Sequence, residues 1–408
     1  MRHAIVVLSL LLCTTAWAQD SLNVTRLWQQ YLPARGVVID NGFAYVATQT
    51  AGLHIFDVSN PTAPVQVGVY DSTWDIEGIA IRDGLAYLVP GPWGFEVVNV
   101  NNPSAPTLVG WCFAAGTSAG VALYGDYAYV SDWASEARII NVSDPVHPTQ
   151  VGYLNILVAQ SMTIRNDHAY VAEYFGSLRI LDLTDPLTPT TLGTCPLPPN
   201  GYGVALANHY AYVADGPSGL QIVDITDSSA PIIVGSLDTP SISVNLAVSA
   251  NFAFVANHWV GLHVVNVSDP ASPQEVGFYD GPGWTEDVKV IGNYALVAGD
   301  GAFTVYDCSA ALSVGRSPTL PAQITLYPAY PNPFNASTQI RFDVPRSSLV
   351  QIQIYDLQGR LVDHLASRVF AAGTHTLNYD ASGHASGMYV VRMTRGRYST
   401  AQKVVLVK

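Results

Sequence analysis

Gly219-Leu220-Gln221-Ile222-Val223-Asp224-Ile225 is one of seven near-copies of a single phrase. The others occupy residues 53–58, 95–100, 137–142, 178–183, 262–267 and 302–307. Their Asp/Asn slots, Asp57, Asn99, Asn141, Asp182, Asp224, Asn266 and Asp307, are spaced 42, 42, 41, 42, 42 and 41 residues apart. A fixed period of that size marks a stack of equivalent supersecondary units.

Working outward from the phrase divides each unit into four short strands, a to d. In the second unit they are predicted at 78–81, 85–89, 94–100 and 107–113. The a to b connection is a tight turn, Arg82-Asp83-Gly84, with Tyr124-Gly125-Asp126, Arg165-Asn166-Asp167 and Ile291-Gly292-Asn293 as counterparts. Gly, Asn and Asp tolerate the positive φ that such hairpins require. Strand b repeats a small residue before a large one: Ala44-Tyr45, Ala86-Tyr87, Ala128-Tyr129, Ala169-Tyr170, Ala211-Tyr212, Ala253-Phe254 and Ala295-Leu296. The c to d connection carries Pro-x-x-Pro, as at Pro61 and Pro64 or Pro103 and Pro106. Proline cannot donate to a ladder, so strand d is predicted to be an outer edge. Strands b and c are apolar on both faces and must be covered on both sides, as in blades stacked radially. The seventh unit supplies only strands a to c, and residues 24–31 resemble the missing strand d. Pairing them with 302–307 would close the ring and remove an open edge. The expectation is a seven-bladed β-propeller over 22–316, closed by strand 24–31; an open solenoid would need polar capping units, and none is evident.

Composition narrows the function classes. The chain of 408 residues is 49% hydrophobic and 12% charged, with 22 Tyr, 8 Trp and a formal net charge of -13. Polyanion binding needs clustered Lys and Arg, so nucleic acid is excluded as a partner. Residues 1–18 read as a signal peptide: Arg2 and His3, then an apolar stretch, then Ala16-Trp17-Ala18 as a cleavage site. The apolar run is too short to span a bilayer, so no transmembrane segment is expected in the mature chain. Cys13 would fit a lipoprotein anchor only if a small residue stood where Leu12 does. Cys112, Cys195 and Cys308 are odd in number and lie in different repeats, which fits free thiols and not a disulfide framework.

The Leu-x-Ile-Val-Asp core followed by Pro-x-x-Pro resembles the bacterial LVIVD-repeat β-propeller proteins. That resemblance implies the fold and supplies no catalytic motif. After residue 307 a Ser, Ala, Gly and Pro-rich stretch reads as a linker, with 317–321 assigned to it outright. Residues 322–408 have a different composition: Tyr330-Pro331-Asn332-Pro333-Phe334-Asn335, then alternating strands at 338–344, 350–355, 373–379, 387–393 and 402–407. Ile340, Phe342 and Val344 share one face, and Ile352 and Ile354 another, as in a small Ig-like antiparallel β-sandwich. The first motif, the run 354–360 ending in Gly359-Arg360, Gly387 and Tyr389 in 386–390, and the terminus at Lys408 are similar to the type A C-terminal sorting domain of the type IX secretion system. That resemblance implies secretion or display at the cell surface via the periplasm and outer membrane, with the secretion machinery as partner of 322–408. The complete chain is thus expected to be all-β.

Functional information is expected where the repeats differ. The b to c and d to next-a loops vary and gather at one rim. On it fall Trp74, Asp75, Glu77, Trp93, Asp132, Trp133, Glu173, Tyr174, Tyr202, Asp215, His258, Trp259, Trp284, Glu286, Asp287 and Asp300. Aromatics interleaved with carboxylates suit an extracellular glycan or protein ligand; the competing interpretation is that they cover blade tops and hold loops. Strand a, lining the channel, reads as mainly small and apolar, and no metal-ligand spacing or nucleophile with a base is evident. No cofactor or metal is expected. Three functions remain open: a non-enzymatic binding module, a rim-centred hydrolase or lyase using acids such as Asp132 with Glu173, and a structural scaffold.

Overall fold

The computed structural model describes residues 21–50, 52–72, 74–91, 94–114, 118–133, 136–281, 283–299, 301–314, 324–344, 348–370, 373–395 and 398–408. The signal peptide, Trp93, Asp300 and the linker 317–321 lie outside these residues. The chain divides into two compact units, up to Gly315 and from Arg316.

The first unit is a seven-bladed propeller. Each blade is an antiparallel sheet in the order a-b-c-d, as in Gly203–Ala207, Tyr210–Ala214, Leu220–Asp224 and Ile232–Leu237 of blade five. Consecutive a strands touch one another in a closed cycle that returns from Thr285–Ile291 of blade seven to Ala34–Asp40 of blade one. Thr25–Gln30 supplies strand d of blade seven by pairing with Ala302–Asp307, so the ring is fastened by joining the two ends of the repeat array.

The core is seven slabs, one between each pair of blades. Tyr45, Leu53 and Ile55 of blade one pack against Ala86, Leu88 and Val98 of blade two. Tyr87 packs in the same way against Ala128 of blade three, and Leu296 of blade seven against Ala44 of blade one. The small residue of each strand b faces the preceding blade and the large one faces the next, so every slab has similar thickness. Burying each large apolar side chain contributes about 1.5–3 kcal/mol.

The repeated Asp or Asn does local work. All seven, from Asp57 to Asp307, accept the backbone N–H two residues on and hold the turn that leaves strand c. Gly219, which opens the repeated phrase, has φ +71°, and a Cβ there would lie 2.2 Å from the Leu237 carbonyl oxygen. Gly235 in strand d is tight for another reason: its Cβ would meet the Pro270 carbonyl of the next blade at 2.0 Å.

Two features of this unit depart from the sequence reading. Residues 309–314, read as the start of a linker, form the helix Ser309–Val314 with Ala311 buried. Ser21–Leu22 adds a fifth strand outside Gln274–Tyr279 of blade six, so strand d is not the outermost there. The two ends of the propeller unit converge on that edge, where the Ala311 N–H donates to the Asn23 carbonyl.

The second unit is a β-sandwich. One sheet is Thr325–Leu326, Ser337–Val344 and Gly373–Asp380; the other is Leu361–Phe370, Ser348–Tyr355, Gly387–Arg395 and Tyr398–Leu406. Ile340, Phe342 and Val344 from the first meet Ile352, Ile354, Val391 and Met393 from the second. Leu361–Phe370 was not expected. Its burial is mostly intermediate to exposed, so it lacks the clean alternation that marks its neighbours.

The propeller seam is locked by one carboxylate. Five blades place Gly or Ser near the start of strand a, at Gly36, Gly78, Gly120, Ser161 and Gly203, but blades six and seven place Asn245 and Asp287 there. Asp287 accepts the Val37 N–H of blade one at 3.0 Å and the Asn245 amide of blade six at 2.9 Å, and pairs with Lys289 at 2.7 Å. Replacing it strands several buried donors, so Asp287→Ala should lower stability by about 2–3 kcal/mol, read as a reduced urea midpoint. A parental midpoint would show that the seam does not depend on this lock.

Candidate functional site

At the rim end of strand b the seven units place Thr48, Pro90, Asp132, Glu173, Asp215, Asn257 and Gly299 in one slot. Two of the acids meet an arginine six residues on, across the b–c hairpin. Asp132 is fully buried and pairs with Arg138 at 2.9 Å. Glu173 pairs with Arg179 at 2.7 Å and accepts the Ser177 hydroxyl. In blade five the arginine position is Gln221, whose amide donates to the Ser218 carbonyl instead. Among the described residues neither oxygen of the fully buried Asp215 has a hydrogen-bond partner, and burial pushes its carboxyl up to about 7. These three acids therefore belong to hairpin interiors and not to an exposed rim.

The residues that converge on open space begin strand a. A cavity of about 780 Å³ occupies the channel mouth, lined among others by Arg35, Glu77, Gln160, Tyr202 and Glu286. These residues lie 41 or 42 apart or in multiples of that spacing, so the fold turns a repeat slot into a ring. The Arg35 guanidinium donates to Glu286 at 2.7 Å and approaches Glu77 at 3.7 Å. The Gln49 amide, oriented to satisfy its neighbours, accepts from the same guanidinium. Burial raises the Glu77 carboxyl above its ordinary value against the opposing pull of Arg35, and Asp75 adds to the rise.

Aromatic rings stand beside these charges. His258 packs against Trp284 at a tilt with centroids 4.3 Å apart, and Trp259 meets Trp284 edge-on at 4.7 Å. The His258 Nε2 is 3.9 Å from Glu286. Trp133, Trp284, His258 and Tyr202 line the cavity, and Tyr174 supports Tyr202 edge-on. Trp133 and Trp259 are half-exposed. Trp74 is half-exposed too but lies beside Gly91, outside the cavity lining. The structure thus gathers Trp133, His258, Trp259, Trp284 and, through Tyr202, Tyr174, and leaves Trp74, Asp132, Glu173 and Asp215 apart.

Arg35, Gln160 and Lys289 are channel residues missed in reading strand a as small and apolar. Their signal lies in overlaying the repeats one position before the small-residue slot, or two after it for Lys289. The histidines of strand c are used elsewhere: His263 is buried, 2.5 Å from Glu275 and stacked on Phe278. The three cysteines among the described residues are free thiols, and burial pushes Cys112 up to about 11 and Cys308 up to about 12, far from nucleophilic use. Among the described residues no group of His, Cys, Asp and Glu is arranged to hold a metal ion.

In the second unit the motif residues knit its ends together. The Asn332 amide donates to the Lys403 carbonyl at 3.1 Å and its oxygen accepts the Val405 N–H at 2.9 Å. Phe334 is buried against Tyr379, and its N–H and carbonyl bond Val405 and Val407. The Pro331 carbonyl accepts the Thr338 hydroxyl. Gly359 takes positive φ in the turn that Arg360 closes onto Asp356 at 2.7 Å. Gly387 pairs opposite Leu406, and the Tyr389 hydroxyl donates to Ala385. Lys408 donates to the Ser382 carbonyl. Tyr330 is exposed, as are Pro333 and Asn335, leaving the first motif partly presented to solvent.

Comparison with known proteins agrees with these two units. Residues 33–72, 75–113, 115–155, 158–196, 201–239, 242–281 and 282–314 match the LVIVD repeat model. Residues 328–408 match the secretion system C-terminal sorting domain, the type IX tail, which points to a secreted or cell-surface protein. No curated protein matches the chain. Similar solved structures include the β-propeller domain of Myceliophteria thermophila Cps50 (Swd1), 9% identical with a TM-score of 0.56, covering 68% of this chain and 97% of that one. The WD40 β-propeller domain of Doa1 is 9% identical with a TM-score of 0.56, over 70% and 97%. The computationally designed Ika8 protein is 9% identical with a TM-score of 0.52, over 67% and 83%. At such identity they establish the fold alone. Among the described residues no helix is long and apolar enough to cross a membrane.

Asp215 gives a pH signature with a defined sign. Its folded-state value is raised from 3.8 to about 7, so between those values the native state keeps a proton that the unfolded chain releases. Stability therefore falls as pH rises through that window and levels off above it. Asp215→Asn should remove the slope, leaving the variant more stable than the parent at pH 8 by up to about 4 kcal/mol and nearly equal at pH 4. The turn carboxylates Asp57, Asp182 and Asp224, held below their ordinary values by hydrogen bonds to the residue two on, act oppositely. Their contribution is present above the ordinary carboxylate range and lost at lower pH, and this acid limb should persist in the variant. Thermal midpoints across pH 3 to 9 check both limbs; parallel profiles would refute the assignment to Asp215.

Proposed function

The chain belongs to the LVIVD-repeat family, and on that scaffold we propose that it is a secreted or cell-surface binding module that takes a saccharide end at the mouth of its central channel. One observation carries this: a cavity of about 780 Å³ with Trp133, Tyr202 and Trp284 on its wall beside the Arg35–Glu286 pair and Glu77. A sugar ring presents an apolar C–H face and an equatorial belt of hydroxyls. The aromatic faces suit the first and carboxylates suit the second, within the volume range of small-ligand sites. The sorting tail accounts for delivery, through the secretion machinery that recognises such domains.

The hydrolase reading has less support. The acids offered for glycoside cleavage, Asp132 and Glu173, are each tied to an arginine in separate hairpins. A scaffold without a ligand gives no account of why charged and aromatic groups gather around this cavity.

The test is a glycan array followed by titration of the retained sugars. Removing the Trp284 face should weaken binding about tenfold or more in Trp284→Ala, and Trp74→Ala should bind as the parent does. An array with no retained glycan, or equal affinity in Trp284→Ala, would remove the proposal.

A further inference from the structure

The chemistry of the channel mouth is unbalanced, and the imbalance selects among saccharides. Two cationic side chains reach the cavity, and the protein uses both internally. Arg35 is taken by Glu286 at 2.7 Å and by the Gln49 amide, and lies 3.7 Å from Glu77. Lys289 is taken by Asp287 at 2.7 Å and by the Val288 carbonyl at 3.2 Å. Three carboxylates face these two cations. Asp287 is saturated by donors from two other blades and from its own strand.

Glu77 differs. It makes no hydrogen bond among the described residues, its one ion pair is the 3.7 Å approach of Arg35, and its side chain is 33% exposed to the cavity side of strand a. A carboxylate with free acceptor capacity and partial burial stabilises a donor that brings positive charge. The ring faces of Trp133, Trp284 and Tyr202 have the same preference, since an aromatic quadrupole attracts cations. The formal net charge of -13 steers cations toward the molecule and anions away. A neutral sugar would satisfy Glu77 with hydroxyls alone, and an acidic sugar would be repelled.

We infer that the channel mouth selects saccharides bearing a free primary amine, with Glu77 accepting the ammonium and the aromatic wall holding the ring face. This rests on the saccharide site proposed above. The ligand class is an amino sugar at a chain end, and Glu77 is its specificity-determining residue. Glu286 and Arg35 act as positioning groups that fix the cavity wall on which Glu77 stands.

Three tetrasaccharides separate the possibilities by titration calorimetry against the full chain: the glucosamine tetramer, its fully N-acetylated form and cellotetraose. The amine-bearing tetramer should bind at least about tenfold tighter than the other two. Glu77→Gln, which keeps shape and removes charge, should abolish that preference, bringing the amine-bearing tetramer to the same affinity as cellotetraose in the variant; an unaltered thermal midpoint checks that it folds. Equal binding of all three by the parent would overturn amine selection and leave the saccharide site standing. An amine preference that survives in Glu77→Gln would trace it to overall charge and overturn the role of Glu77. Binding of none would remove the saccharide site and the selection together.

Discussion

Each blade gives a large side chain to the next blade and an alanine to the previous one, and the propeller depends on that exchange. Tyr129 of blade three fills the slab that Ala169 of blade four leaves open, and Tyr170 does the same against Ala211. A dense interior tolerates neither a void nor a second large residue at these positions. The slabs therefore repeat with nearly constant thickness, and seven of them turn a sheet stack into a closed ring. Strands b and c are consumed by this packing on both faces, so they have no surface left for recognition. Only the ends of the strands and the inner wall remain free to vary.

This explains which parts of the molecule could be read from residues in sequence. The period, the turn chemistry of the Asp/Asn slot and the strand missing from the seventh unit are local patterns repeated many times, and local patterns survive without coordinates. Charge pairing is different. Asp132 and Glu173 look like rim acids until Arg138 and Arg179 are seen across the hairpin, a spacing that alternate strands b and c bring together. The channel ring is harder still, because Arg35, Glu77 and Glu286 become neighbours only when the repeats are overlaid and the array is closed. The helix Ser309–Val314 carries no periodic signal at six residues, and its place is set by Ala311 packing at the edge of blade six. Leu361–Phe370 was missed because its sequence alternates weakly, its partnership with Ser348–Tyr355 supplying the order instead.

Breaks in the repeat concentrate in one sector. Blades one to five keep Gly or Ser at the small slot of strand a, whereas blades six and seven carry Asn245 and Asp287. The first requirement there is mechanical: the last blade must join the first without the covalent continuity that links every other pair. Asp287 meets it with hydrogen bonds to Val37 and Asn245. Once a carboxylate is buried at the seam, a nearby cation offsets its desolvation, and Lys289 fills that role at 2.7 Å. The pair then stands in the channel lining alongside Arg35, Glu77 and Glu286.

The residues of the proposed site stand on that same seam. Glu286 immediately precedes Asp287 in strand a of blade seven, Arg35 is two residues before Val37 in blade one, and the two side chains bond across the junction. The ladder register shifts between Thr285 and Asp287, leaving Glu286 as the extra residue of a bulge, so the strand that locks the ring with Asp287 also sets Glu286 at the cavity. A saccharide at the proposed site would span blades seven, one and two, around the junction that the N-terminal strand fastens from outside. Ligand bound there favours the closed ring over any opened form by mass action. On the proposed function, closure and recognition are coupled through three adjacent strands, because the sector where the repeat is least regular holds both the seam lock and the proposed site.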